Sequence, residues 1–130
     1  MKIYLCARYH RHPEMQDVAK TLQQMGHTVV SRWVHGDHDA GDMDQIGDPK
    51  NFQLAAEYAC DDLTDLCNAD CLISFNEPSR TPGRGGRHVE FGIALARGTR
   101  IILVGPRENV FHCLSGVEQY DTWDQTVEAL

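Results

Sequence analysis

The sequence predicts an α/β fold in which helices cover both faces of a parallel sheet. Short apolar runs that fit strands alternate with amphipathic stretches that fit helices along the whole chain; this order is typical of parallel sheets. The runs at 2–7, 71–75 and 100–104 are apolar almost throughout, as expected of strands buried on both faces. With 130 residues, 42% of them hydrophobic, the chain fits one domain spanning 1–130.

The first half of the chain is predicted to contain two strands and two helices. After strand 2–7, a helix is predicted over 13–25, because apolar residues recur there at three- and four-residue spacing and Gly26 follows as a typical helix end. The β-branched stretch 28–34 predicts a second strand. The polar, glycine-bearing segment 35–50 predicts a loop, and an apolar stripe predicts a helix over 51–67.

The second half continues the alternation. The predicted elements are strand 71–75, loop 76–86, helix 89–97, strand 100–104, a short strand 117–120 and a last helix capped by Thr122. Five strands suggest the order 2-1-3-4-5 of a flavodoxin-like fold, a Rossmann-like, doubly wound, three-layer α/β/α architecture. Ligands of such sheets bind beyond the carboxyl ends of the strands, which is where loops 35–50 and 76–86 are expected.

Composition argues against several classes of protein. The net charge of −7 does not suit a protein that coats nucleic acid. No run of 18 apolar residues predicts a membrane span, and the early polar residues do not fit a signal peptide. The five cysteines show no C-x-x-C pair, so neither a disulfide framework nor a zinc ribbon is expected. Cys6, Cys60, Cys67 and Cys71 are expected to be reduced core thiols of a cytoplasmic protein.

The stretch 79–92 is the most informative for function. It combines glycines with Arg80, Arg84 and Arg87 and then enters a predicted helix. Glycine amides and a helix start favour an anion, so a phosphate or carboxylate site is indicated. The alternative is an ordinary exposed loop. The spacing fits neither a P-loop nor the dinucleotide-binding fingerprint.

Two carboxylates are candidates for chemistry. Glu90 is predicted in the first turn of the third helix, where the helix dipole, Arg87 and His88 would keep it ionised as a nucleophile or base. It fits an ordinary helix-start acid equally well. Asp62 belongs by default to a solvated acidic face, and Asp70 is expected to cap a turn.

The histidines and aromatics give weaker signals. The seven histidines match no metal-binding pattern, and the loop 37–48 lacks the glycine and glutamate of a calcium loop. We therefore expect no metal. Tyr9 and Trp33 lie at predicted strand ends, where each would stack on a base or pack in the core.

Three segments resemble the nucleoside 2-deoxyribosyltransferase family, which includes the 2'-deoxynucleoside 5'-phosphate N-hydrolases. The start 3–9 is similar to the family's first strand and ligand loop. Asp62-Leu-Thr-Asp-Leu-Cys-Asn-Ala-Asp70 resembles its segment leading into strand three. Gly86-Arg-His-Val-Glu-Phe-Gly-Ile-Ala-Leu-Ala-Arg-Gly98 resembles its helix and is the most specific of the three.

The resemblance implies a covalent mechanism without a cofactor. Glu90 would attack C1' of the sugar and form a glycosyl-enzyme, as in a retaining glycosidase. Asp62 would hold the nucleobase and help to protonate it as it leaves. Tyr4, Ala7 and Arg8 would line the sugar side.

Two departures from the family pattern affect phosphate recognition. Three residues separate the pair of Gly85 and Gly86 from Glu90, which is more than in the hydrolase branch, and the Gly-Gly loop of that branch is absent after strand one. A phosphate would therefore depend on the loop glycines and on four arginines, namely Arg8, Arg11, Arg84 and Arg87.

The segment 107–112 is the last candidate. In the family this region approaches the site, partly from a neighbouring subunit, so Asn109 and His112 are candidates for an adjacent pocket. The alternative is a polar turn with Phe111 in the core. A homodimer or larger oligomer is implied.

Three functions stay open at this point. The first is cleavage or exchange of the N-glycosidic bond of a nucleoside or its 5'-monophosphate. The second is a nucleotide-binding or sensing module without turnover. The third is a glycohydrolase of a dinucleotide such as NAD.

Overall fold

The computed structural model describes residues 1–36, 38 and 49–130, with residues 49 and 50 described by backbone only. Five strands and four helices occur in this part of the chain. They are β1 (Lys2–Cys6), α1 (His12–Gln24), β2 (Thr28–Val29), α2 (Pro49–Cys67), β3 (Cys71–Phe75), α3 (Gly86–Ala96), β4 (Arg100–Val104), β5 (Val117–Tyr120) and α4 (Trp123–Ala129).

The strands form one parallel sheet in the order β2-β1-β3-β4-β5. This confirms the predicted flavodoxin-like order and the three-layer α/β/α class. In the register of β1 against β3, Tyr4 pairs with Leu72 and Cys6 with Ser74. Strand β2 is added on one side of β1, and β3, β4 and β5 follow on the other side. Because crossovers between parallel strands are right-handed, this reversal places α1 on one face of the sheet and α2 and α3 on the other.

The core is formed by side chains on both faces of the central strands β1, β3 and β4. Every residue of β3 is buried, as are four residues each of β1 and β4. These strands are the nearly continuous apolar runs of the sequence, so their double burial agrees with the prediction. The packed sheet is the rigid base on which the loops at its carboxyl edge are positioned.

The second strand is shorter than predicted. The expected strand 28–34 is reduced to Thr28–Val29, and a 3-10 turn at Arg32–Val34 follows. Side chains replace the missing strand: Leu5 N donates to Ser31 Oγ at 3.1 Å, and Trp33 Nε1 donates to Leu5 O at 2.8 Å. The β-branched residues predicted a strand because propensity does not register such competing side-chain bonds.

Helix α3 begins three residues earlier than predicted. It starts at Gly86, and Gly85 precedes it with a φ of +88°, a conformation that glycine adopts without strain. Glu90 is consequently the fifth residue of α3, so the expectation that it lies in the first turn is wrong. Its carboxylate is one turn further from the positive end of the helix dipole, where that field is weaker.

Several local predictions are confirmed. Gly26 ends α1 with a φ of +90°, and Thr122 Oγ1 accepts from Gln125 N at 3.3 Å as the cap of α4. Asp70 has a structural role other than the predicted turn cap, because its Oδ2 accepts from Lys2 N at 2.8 Å and fixes the start of β1.

The predictions for the cysteines are confirmed only in part, and the prediction for the loop 35–50 is largely untested. All five cysteines are free, but only Cys6 and Cys71 are buried, and Cys60 and Cys67 are exposed on α2. The prediction of core thiols is therefore wrong for Cys60 and Cys67. The predicted loop 35–50 and the segment 37–48 lie mostly outside the described residues.

Candidate active site

A cleft of about 740 Å³ opens at the carboxyl edge of the sheet, between the segment after β1 and the start of α3. Eight of the predicted site residues line it, namely Ala7, Arg8, Tyr9, Arg84, Gly85, Gly86, Arg87 and Glu90. They meet because β1 and β3 are parallel neighbours and their following segments leave the sheet at the same edge.

Glu90 is bound to the sheet below the cleft. The hydroxyl of Tyr4 donates to Glu90 Oε1 at 3.0 Å. Tyr4 itself is fully buried in β1, and Glu90 is half-buried. The hydrogen bond therefore comes from a side chain that the core holds in one orientation, and it fixes the carboxylate at the wall of the cleft.

The environment of Glu90 makes its ionisation difficult. Burial raises its pKa to about 7, and the negative charge of Asp62 adds to this rise. Hydrogen bonds from Cys6 and Tyr4 and the charge of Arg87 act in the opposite direction. The prediction that the helix dipole, Arg87 and His88 keep Glu90 fully ionised is thus wrong, because desolvation outweighs them.

Asp62 lies on α2 and interacts electrostatically with both Glu90 and Tyr4. Burial raises the pKa of Asp62 to about 6, and the neighbouring Asp65 and Asp61 contribute to the rise. Its Oδ1 is buried without a hydrogen-bond partner among the described residues. Asp62 is half-buried, so the default interpretation of a solvated acidic face does not describe it.

The four candidate arginines divide into two groups. Arg87 forms a two-pronged ion pair with Glu108, with N–O distances of 2.7 and 2.9 Å. Arg11 binds Glu14 at 2.8 Å and Glu77 at 3.1 Å. It lines a separate depression, so the structure does not place it in the cleft.

Arg8 and Arg84 are the second group. Both line the cleft, and neither forms an ion pair with another residue in the part of the chain that the structure describes. Among the four candidate arginines, these two line the cleft without a described carboxylate that neutralises their charge.

The two candidate aromatics also separate. Tyr9 lines the cleft and stacks on His12 with the ring centroids 5.2 Å apart. Trp33 is buried in the core, where its indole N–H bonds Leu5 O. The interpretation of Trp33 as a base-stacking residue is therefore replaced by its alternative, core packing.

Asn109 and His112 border the site without lining this cleft. Asn109 Oδ1 accepts from Phe111 N at 3.0 Å and caps a 3-10 turn, and its amide nitrogen lies 3.4 Å from His88 Nδ1. His112 is buried, its ring is 4.6 Å from that of Phe91, and burial lowers its pKa. Phe111 is 59% exposed, so the alternative that placed it in the core is wrong.

Sequence reasoning missed five residues that line the cleft, namely His10, Thr81, Gly83, His88 and Glu108. Glu108 is the most consequential, because it neutralises Arg87. A signal for it existed: it follows the apolar strand β4, and polar residues after parallel strands share one edge of the sheet.

Two features of other kinds of protein are absent from the described residues. No group of three or more His, Cys, Asp or Glu side chains there is arranged to hold a metal ion. No helix in the same part of the chain has both the length and the apolar character needed to cross a bilayer.

The fold and the cleft together define a doubly wound α/β protein with a carboxylate-bearing cleft at the carboxyl edge of its sheet. No family model matches the sequence. No curated protein matches it either.

Solved structures share the fold. A 2-deoxyribosyltransferase from the psychrotolerant bacterium Bacillus psychrosaccharolyticus superposes with a TM-score of 0.71, at 18% identity, over 98% of this chain and 90% of that one. The CMP N-glycosidase of Clostridium botulinum superposes with a TM-score of 0.58, at 20% identity, over 99% and 97% of the two chains. At these identities the likeness establishes the shared architecture.

Proposed function

We propose that this protein cleaves or exchanges the N-glycosidic bond of a nucleoside or nucleoside 5'-monophosphate, with Glu90 as the nucleophile. The observation that carries the proposal is the Glu90 carboxylate, which lies at the wall of the cleft and accepts a hydrogen bond from the buried Tyr4 hydroxyl. The shared fold supports it, because its structural neighbours include a 2-deoxyribosyltransferase and a CMP N-glycosidase.

The reaction needs one carboxylate on each side of the bond that breaks. An oxygen of ionised Glu90 attacks C1' of the sugar, the C1'–N bond breaks, and its electron pair stays on the base nitrogen. The base takes up a proton as it leaves. Water or a second base then attacks C1', returns a proton to the group that protonated the first base, and releases Glu90, which gives hydrolysis or exchange respectively. The negative carboxylate also stabilises the positive charge that develops on the sugar.

Asp62 is the acid in this proposal. Its raised pKa, about 6, lets it hold a proton closer to neutrality than an ordinary aspartate does. Its Oδ1 is buried and has no partner among the described residues, so its capacity to accept a hydrogen bond is unused there. The negative charge that Asp62 gains on proton transfer lies within electrostatic range of Glu90.

A 5'-phosphate would be bound at the start of α3. Arg8 and Arg84 contribute charge there, and the first amides of a helix have no partner within the helix. Gly85 and Gly86 keep this end of α3 open, since nothing lies within 4 Å of where a Cβ would stand at either. Arg87 is not counted, because Glu108 already neutralises it.

The test uses purified protein with deoxynucleosides, ribonucleosides and their 5'-monophosphates, with and without a second free base, and follows free base by chromatography. Glu90→Gln should abolish base release, since an amide is not a nucleophile. Glu128→Gln is the matched control, because Glu128 is exposed on α4, and it should react like the wild type.

The outcomes separate the candidate functions. Base release from monophosphates alone identifies an N-hydrolase of nucleotides, and exchange on free nucleosides identifies a transferase. Binding without turnover, unchanged in Glu90→Gln, would refute the proposal in favour of a sensing module. Release of nicotinamide from NAD, with no reaction on nucleosides, would refute it in favour of a dinucleotide glycohydrolase. The proposal includes the homodimer or larger oligomer that the resemblance implies and the cytoplasmic setting expected from the cysteines.

A further inference from the structure

The cleft contains an ion pair that the proposed reaction does not use. Arg87 donates from Nη1 and Nη2 to the two carboxylate oxygens of Glu108, at 2.7 and 2.9 Å. Both side chains line the cleft, and only 14% and 16% of their surfaces are exposed. A guanidinium binds a phosphate with the same two-pronged geometry. Glu108 therefore engages the two terminal nitrogens through which Arg87 would otherwise bind an anionic ligand.

The chain around Glu108 fixes it independently of Arg87. The backbone N–H of Glu108 donates to Nδ1 of His112 at 3.0 Å, and the His112 ring is buried. Glu108 Oε2 also accepts from the backbone N–H of Glu77 at 3.3 Å. The carboxylate is thus held at the wall of the cleft by its own neighbours, unlike a mobile side chain that meets an arginine at the protein surface.

Glu108 also adds a negative charge to this wall. Although burial opposes its ionisation, the hydrogen bonds from Arg87 outweigh it and lower the pKa of Glu108, so the side chain is charged at neutral pH. An anion that enters the cleft meets Arg8 and Arg84, which have no ion-pair partner among the described residues, but it is repelled by Glu108. The pair therefore reduces the attraction of the cleft for a phosphate in two ways.

We propose that Glu108 is a specificity-determining residue, which withholds Arg87 from a 5'-phosphate and shifts the preference of the cleft from nucleoside 5'-monophosphates toward free nucleosides. The inference rests on the proposed function for the identity of these substrates. The competition of Glu108 and phosphate for Arg87 can be measured without turnover. Glutamine at position 108 keeps an oxygen that can accept from Arg87 but carries no charge, so Glu108→Gln leaves the arginine open to an anion.

The direct test is a titration with inorganic phosphate at low ionic strength, followed by NMR of the Gly85 and Gly86 amides. Glu108→Gln should lower the Kd for phosphate about 10-fold, because Arg87 gains a charge-assisted bond to the ligand. The matched control is Glu118→Gln. Glu118 forms the same two-pronged pair with Arg100, at 2.7 and 2.8 Å, and does not line the cleft. This control should bind phosphate like the wild type. A Kd in Glu108→Gln equal to or higher than that of the wild type, or no binding by Glu108→Gln, would overturn the inference.

A double-mutant cycle tests whether the effect passes through Arg87. In an Arg87→Gln background, Glu108→Gln should lower the Kd much less, since only the repulsion between Glu108 and phosphate is then removed. The same gain in both backgrounds would show that Arg87 is not withheld, which overturns the inference.

Activity provides a second readout. In Glu108→Gln the ratio of kcat/KM for a deoxynucleoside 5'-monophosphate to that for the free deoxynucleoside should rise about 10-fold, mainly through KM, whereas Glu118→Gln should leave the ratio unchanged. An unchanged ratio in Glu108→Gln would overturn the inference. A wild type without turnover, or an active Glu90→Gln, would overturn the proposed function and leave the phosphate titration as a separate answer.

One measurement does not depend on the Glu108 variant being folded. Phosphate added to the wild type should shift the guanidinium nitrogen-15 NMR signals of Arg8 and Arg84 and leave that of Arg87 in place, because Glu108 already occupies Arg87. The Arg87 signal is assigned by its loss in Arg87→Gln. An Arg87 shift as large as that of Arg84 would show that phosphate reaches Arg87 in the wild type, and would overturn the inference.

Discussion

Glu90→Gln should make the protein less sensitive to alkaline unfolding, even as it removes the proposed nucleophile. The pKa of Glu90 is about 7 in the folded protein and 4.5 in an unstructured chain. The folded state therefore binds the Glu90 proton more tightly than the unfolded state does. Its contribution to the free energy of unfolding is fully present below about pH 4.5 and is lost as the pH rises through about 7.

The size of this effect follows from the two pKa values. Between pH 5 and pH 8 the linkage relation gives a loss of about 2 to 3 kcal/mol for one such carboxyl. Glutamine keeps an oxygen that can accept from Tyr4 Oη but carries no charge to desolvate. The variant should therefore lack this loss, and its free energy of unfolding should fall less than that of the wild type over the same pH range.

The assay is urea unfolding of the wild type, Glu90→Gln and the control Glu128→Gln at pH 5 and pH 8. Titrating groups that do not interact with Glu90 change the stability of all three proteins alike, so the difference between variants reports Glu90 together with its coupling to Asp62. Glu128 is exposed, and its variant should follow the wild type. An equal pH dependence in Glu90→Gln and the wild type would refute the claim that burial suppresses the ionisation of this carboxyl.

Three further predictions concern the site and the surface beside it. Asp62→Asn should lower the pKa of Glu90, because it removes a nearby negative charge. The pH–activity profile should then show its acid limb at lower pH, with a reduced kcat. An acid limb at the wild-type pH would contradict the coupling between the two carboxyls. Arg84→Ala should raise KM for a 5'-monophosphate roughly 10-fold and leave that of the free nucleoside unchanged; the control Arg97→Ala, on the far end of α3, should alter neither. Phe111→Ser should shift sedimentation from dimer to monomer, since Phe111 is exposed and apolar; a wild type that sediments as a monomer would remove this expectation.

The parallel sheet was predictable from the sequence because its signals are local. Continuous apolar runs mark β1, β3 and β4, and short runs of this kind are typical of strands that are covered on both faces. The strand order was inferred from the count and alternation of elements, and the structure confirms it. The existence of the second strand was predicted but its length was not, because the bonds of Ser31 and Trp33 to Leu5 join residues 26 and 28 positions apart.

The sequence predicted most of the residues that line the candidate site, but it did not predict their ion pairs or the pKa of Glu90. The glycine-rich stretch and the residues after β1 do line one cleft, since parallel strands deliver them to one edge. Which arginines carry unmatched charge depends on tertiary ion pairs: Arg87 meets Glu108 and Arg11 meets Glu77. The raised pKa of Glu90 likewise depends on how deeply α3 packs, and helix position alone predicted the opposite direction.

The side-chain bonds around Leu5 also bear on self-association. An exposed sheet edge offers unpaired amides and carbonyls to a strand from another molecule. Here the edge strand β2 has only two residues, and past it the amide and carbonyl of Leu5 are already occupied by Ser31 and Trp33. An incoming strand therefore finds almost no continuous template on this side, and the protein gains protection from edge-to-edge aggregation along β1.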